Sequence, residues 1–140
     1  MTISDLGIIA ALALSAFGSA LGTGAAGMAA VGAWKRCFVQ NTPAPFLLLV
    51  FVGAPLTQTI YGMILMLQLV GSNADGAIKL GVGFLGGLAI GASAFAQGRA
   101  AASAADAFAE TRKGFANNMS VLGIIESVAI FTLVFSFLIL

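Results

Sequence analysis

The chain contains no histidine and one cysteine, and only 8% of its 140 residues are charged. With no imidazole and with Cys37 alone, it can form neither an intrachain disulfide nor a soft-metal centre, and Cys37 reads as a free thiol. Six Lys and Arg against five Asp and Glu leave a net charge of +1. They are spread over loops, without the basic face and interleaved aromatics that grip nucleic acid, and no acidic partner is implied. No Walker lysine is present for a nucleotide phosphate. The N-terminus carries Asp5 where a secretory signal carries Lys or Arg, and its apolar run outlasts a signal core, so it reads as a retained first helix.

What the chain has in abundance is apolar sequence, 60% of its residues, in stretches long enough to cross the ~30 Å hydrocarbon core of a bilayer. Charge, Pro, Gly, Asn and Ser interrupt it at 34–45, 71–76 and 109–118. The expected fold class is therefore an all-α membrane protein with helices at about 5–34, 44–70, 76–109 and 117–140. Lys35, Arg36, Arg112 and Lys113 occupy the first and third breaks, while the second holds only Asp75 and Lys79. The positive-inside rule then places both termini outside and the first and third loops in the cytoplasm of a multi-pass protein of the cell membrane. Trp34 reads as an interfacial anchor. Asp106, Glu110, Arg112 and Lys113 read as a solvated loop end open to a soluble partner, and Arg99 as a side chain reaching toward the same interface.

The sequence also repeats itself. Ser19-Ala-Leu-Gly-Thr-Gly-Ala-Ala aligns with Ser93-Ala-Phe-Ala-Gln-Gly-Arg-Ala, and 53–62 with 123–132, which divides the chain into two duplicated hairpins, 1–70 and 71–140. In that alignment Leu56 occupies the place of Glu126, so only the second hairpin keeps a carboxylate. Helices one and three hold most of the glycine, including Gly18-x-x-x-Gly22 and Gly83-x-x-x-Gly87-x-x-x-Gly91, a spacing that lets membrane helices approach closely. Helices two and four are rich in Leu, Phe and Ile. This split suits a curved assembly with small helices inside and bulky ones facing lipid. Gly22-Thr-Gly24-Ala-Ala-Gly27 and Gly81-Val-Gly83-Phe-Leu-Gly86 both spell a dinucleotide fingerprint, but neither follows a strand or opens a helix, so direct nucleotide binding is not expected.

Glu126 is the only carboxylate in the apolar final segment, and an ionisable group in hydrocarbon is costly unless a function or partner offsets it. Thr57, Gln58 and Tyr61 fall within an arc of about 100° on helix two, and Gln97 lies on helix three. Counted at ~1.5 Å per residue from the cytoplasmic ends, Gln58, Gln97 and Glu126 lie roughly 12 to 20 Å deep. A proton carrier needs little beyond the carboxyl. Two amide oxygens, a hydroxyl and a carboxylate are the hard donors that a small cation prefers, which favours Na+ over H+. Pro55 removes a backbone N–H and clashes with the Phe51 carbonyl, and the distorted turn can offer one more oxygen. Taken singly, such polar groups often only bond neighbouring helices.

Pro55-Leu-Thr57-Gln58-Thr-Ile-Tyr61-Gly62, Ala96-Gln97-Gly98 and Ile125-Glu126-Ser together resemble the four-helix proteolipid of V-type and related A/V-type rotary ATPases, the rotor-ring subunit of bacterial sodium-translocating forms. The resemblance covers nearly the whole chain. It implies a homo-oligomeric ring in membrane lipid, turning against a stator subunit that bears an Arg, with central-stalk subunits at the cytoplasmic loops. It implies that Glu126 is the ion-translocating carboxylate, that Thr57, Gln58 and Gln97 are side-chain ligands of Na+, and that Tyr61 hydrogen-bonds the carboxylate. Ala54, just before the proline, matches a position that gives its backbone carbonyl. Here the triplet is Ala-Pro-Leu, where sodium-binding relatives have Leu-Pro-Gly. Such a subunit is not catalytic alone and works in ATP synthesis or hydrolysis coupling.

Two other classes compete. A small multidrug transporter also has four helices and a membrane-embedded Glu, but usually carries it on the first helix among aromatics. A passive pore or scaffold would suit the glycine-rich helices and leave the polar cluster without a purpose.

Overall fold

The computed structural model describes residues 2–140. Helix α1 (Ile3–Val39) opens on Thr2, whose hydroxyl accepts the Asp5 N–H while the Asp5 carboxylate accepts the Thr2 N–H, satisfying two otherwise free donors. It runs past the expected end near residue 34, because 35–39 contain no helix breaker and Arg36 finds an ion-pair partner in Asp106 across the α1–α4 contact. The chain turns only where Asn41 takes a positive φ of 52° and Pro43 follows. The Trp34 indole N–H donates to the Pro45 carbonyl at 2.8 Å and fastens the loop to α1.

The second crossing begins at Leu48, later than expected, since Pro43 and Pro45 cannot donate to a helix. It consists of α2 (Leu48–Gly53), a 3-10 turn at Ala54–Leu56 with Pro55 inside it, and α3 (Thr57–Gly71). Helix α4 (Gly76–Thr111) is capped by Asp75, whose carboxylate accepts the Ala77 and Ile78 N–H groups at 2.9 and 3.0 Å. It ends at Arg112 and Gly114, both with positive φ, and α5 (Phe115–Ser136) follows. The last residues form turns instead of continuing α5 to 140. Among the described residues there is no strand, and four helical segments of 37, 24, 36 and 22 residues are long and apolar enough to cross a membrane.

Helices α1 and α4 lie side by side and parallel. Gly7 abuts Gly83, Gly18 abuts Gly91 and Gly22 abuts Gly98, and a Cβ at any of these would enter the opposite backbone. The second crossing packs antiparallel to α1, with Gly62 against Ser15 and Pro55 against Gly22. The division between small and bulky helices is only partial: α1 and α4 turn small residues toward each other and expose Phe17, Met28, Phe84, Leu85 and Leu88. Two buried apolar clusters result. One joins Ala26, Ala30, Leu48, Phe51, Ala101, Ala105 and Leu122, and the other joins Ala11, Leu65, Leu69, Ile90, Ala129 and Leu133. Gln58 and Gln97 fall between them in sequence and are completely buried.

Candidate functional site

The site is assembled where α3, α4 and α5 meet the 3-10 turn. Pro55 has no N–H for the Phe51 carbonyl, and the backbone there tightens from α-helical to 3-10 spacing. The Ala54 carbonyl accepts both the Thr57 N–H and, at 2.9 Å, the Thr57 hydroxyl. Beyond the turn, Gln58 and Tyr61 stand three residues apart on one face of α3.

Glu126 is half-buried on α5, and both of its oxygens meet a donor. The Tyr61 hydroxyl donates to Oε1 at 2.7 Å, and Gln97 Nε2 donates to Oε2 at 3.3 Å. Gln97 Nε2 also donates to the Leu122 carbonyl one turn earlier on α5, at 3.0 Å, which uses both of its amide hydrogens. Gln58 Nε2 donates to Gln97 Oε1 at 2.9 Å, and Gln58 Oε1 lies 3.1 Å from the Thr57 hydroxyl. The structure thus brings Thr57, Gln58, Tyr61, Gln97 and Glu126 into one connected network, with the Ala54 carbonyl at its edge.

Two chemical properties follow. Thr57 has a single hydroxyl proton but two acceptors in reach, Ala54 O and Gln58 Oε1, so three oxygens crowd together with more lone pairs than protons. No cationic side chain approaches the carboxylate: Arg36 with Asp106 is the one ion pair among the described residues, and it lies at the far end of α1. Glu126 is therefore held by dipoles alone. Dipoles and oxygen donors of this kind suit a proton or a hard cation.

Sequence reasoning missed Ser93, one turn before Gln97, whose hydroxyl donates to the Ile125 carbonyl at 2.9 Å and ties α4 to α5 beside the carboxylate. Its signal was its place in the repeat, aligned with Ser19. Leu56 is 51% exposed on the 3-10 turn and belongs to neither buried cluster. Asp106 is not part of a loop end: it sits within α4 and pairs with Arg36, while Arg112 donates to the Pro43 carbonyl and, at 3.5 Å, to Cys37 Sγ. These contacts bring the first and third loops together around a cavity of about 670 Å³ lined by Arg36, Cys37, Glu110 and Arg112. Arg99 is exposed, its guanidinium 5.9 Å from the Phe95 ring. Both glycine fingerprints lie inside continuous helices, where Gly22, Gly83 and Gly86 sit in close contact with neighbouring helices.

Residues 80–139 match the ATP synthase C-subunit family. That match spans most of α4 and all of α5, and so includes Ser93, Gln97 and Glu126 but not Thr57, Gln58 or Tyr61. No curated protein matches the chain at a significant level.

Proposed function

We propose that the chain is the ion-carrying subunit of a rotor ring in a V-type or A/V-type rotary ATPase, and that it carries Na+ by reversible binding at Glu126. The observation that carries this reading is the network itself: a membrane carboxylate met by groups from α3 and α4, with oxygens that exceed what a proton carrier requires. The family match supports the rotor-ring part, since the ATP synthase C-subunit family supplies the ion-translocating membrane subunits of rotary ATPases, which form homo-oligomeric rings against a stator.

In the loaded state Glu126 supplies the negative charge and Gln97, Gln58 and Thr57 turn their oxygens to the ion. The Ala54 carbonyl, within reach of the Thr57 hydroxyl, is the further donor. Tyr61 holds the other carboxylate oxygen and fixes the rotamer of Glu126. Facing the stator, an Arg of that subunit displaces the ion by pairing with the carboxylate. Moving one charge across the membrane is worth ~2.3 kcal/mol per 100 mV, so several ions combine for each ATP. One carboxylate per four crossings lowers the number of ions per turn and favours steep gradients. The first and third loops face the cytoplasm, where the central stalk docks, and the termini lie outside.

The test is carbodiimide modification of Glu126 in the purified oligomer. Sodium at fixed pH is expected to slow it, and absence of sodium protection at every pH would leave protons as the cargo. Glu126→Gln is expected to abolish coupled transport with the oligomer still assembled. Transport retained in that variant would end the proposal.

A further inference from the structure

Helix α1 contributes nothing to the network around Glu126, yet it runs beside it and buries a hydroxyl there. The antiparallel register of α1 and the second crossing is fixed by Ser15 against Gly62 and Gly22 against Pro55. Ser19 lies between Ser15 and Gly22, and Gln58 lies between Pro55 and Gly62 on the buried stripe of the second crossing. The ladder therefore sets Ser19 opposite Gln58. Ser19 is 1% exposed, and its Oγ, like that of Thr23 one turn further along α1, has no hydrogen-bonding partner among the described residues; of the two, Ser19 is the one level with Gln58 in this register. Neighbouring buried serines are satisfied: Ser15 donates to Ala11 O at 2.7 Å and Ser93 to Ile125 O at 2.9 Å. A buried hydroxyl left without a partner is costly and calls for a reason.

The hydrogen bonds of the two glutamines supply one. With the network closed on itself, Gln58 Nε2 donates to Gln97 Oε1. A cation held by Gln97 Oε1 takes one of its lone pairs and repels that amide hydrogen, so loading weakens the Gln58–Gln97 bond. Gln97 is provided for, because its own amide already donates to the Leu122 carbonyl. Of the two Gln58 amide hydrogens only the one on Gln97 has an acceptor here, so loading leaves this buried amide in need of another.

We propose that Ser19 Oγ is that acceptor: it takes the Gln58 amide N–H when the cation binds and so keeps Gln58 Oε1 on the ion. Ser19 is thus a positioning residue that acts through Gln58 and only in the loaded state. This inference rests on the ion-carrier reading of the site.

The purified oligomer tests it, with sodium as the probe and carbodiimide modification of Glu126 as the readout. Ser19→Ala is expected to raise the half-protecting sodium concentration about tenfold, the effect of one unmet buried N–H. The pH dependence of modification without sodium is expected to stay as in the parent, since Gln58 then donates to Gln97. Ser19→Thr, which keeps the hydroxyl, is expected to restore the parental sodium requirement. Should Ser19→Ala fail to assemble, Ser19→Cys, a weak acceptor of similar size, decides in the same direction. An unchanged sodium requirement overturns the assignment of Ser19 alone. An equal shift in the sodium-free profile also overturns it, by showing a merely structural role. A parent that sodium never protects overturns the ion reading, and this inference with it.

Discussion

At the residue scale, the unit of the proposed function is a carboxylate on an apolar helix whose oxygens are both met by donors from other helices. Gln97 is the hinge of that arrangement, because one amide serves Gln58, Leu122 and Glu126 together. Gln97→Leu leaves the buried Gln58 N–H without its acceptor, at about 1–3 kcal/mol, removes the donor to Glu126 Oε2, and is expected to weaken sodium binding tenfold or more in sodium titrations of the purified oligomer. Tyr61→Phe removes the donor to Oε1 but no cation ligand. It is expected to speed sodium-free carbodiimide modification of Glu126 while protection at saturating sodium persists, measured as rates in both conditions. These residues were legible in sequence as polar groups at one depth. Their individual bonds were not, since depth along a helix says nothing of which hydrogen meets which oxygen.

At the element scale, two features place the site: a helix broken at Pro55, and α1 and α4 in backbone contact. A Cβ at Gly98 would collide with the Gly22 backbone, whereas one at Gly123 meets nothing within 4 Å. Gly98→Ala is therefore expected to destabilise the protein by about 1–3 kcal/mol, read as a lower thermal midpoint in detergent, with Gly123→Ala near the parent. Helix existence and number were readable from apolar length. The helix ends were not, because Arg36 with Asp106 and Trp34 with Pro45 are tertiary bonds that carry α1 five residues past its expected stop at 34, to Val39.

At the scale of the whole molecule, asymmetry between hairpins is the main fact. The carboxylate lies in the hairpin that matches the ATP synthase C-subunit family, and the aligned Leu56 is an exposed apolar side chain. One bound sodium and one carbodiimide adduct are expected per chain, countable by sodium analysis and mass spectrometry of the intact protein. Orientation has its own test. In a Cys37→Ser background, a cysteine at Ser72 is expected to react with an impermeant thiol reagent on intact cells, and one at Lys113 only after permeabilisation. The reverse pattern would invert the topology.

Composition and spacing by themselves determined that the chain crosses the membrane with four helices, and that its polar residues gather at one level. Both follow from local quantities: the length of an apolar run, and a fixed rise per residue. Only the tertiary structure decided that Gln97 bridges Gln58 to Glu126, that Asp106 belongs to a helix, and that Ser19 is buried without a partner. Those facts depend on how neighbouring helices are rotated and set in register. That is fixed by glycine contacts between segments far apart in the chain, which no periodicity within one segment encodes.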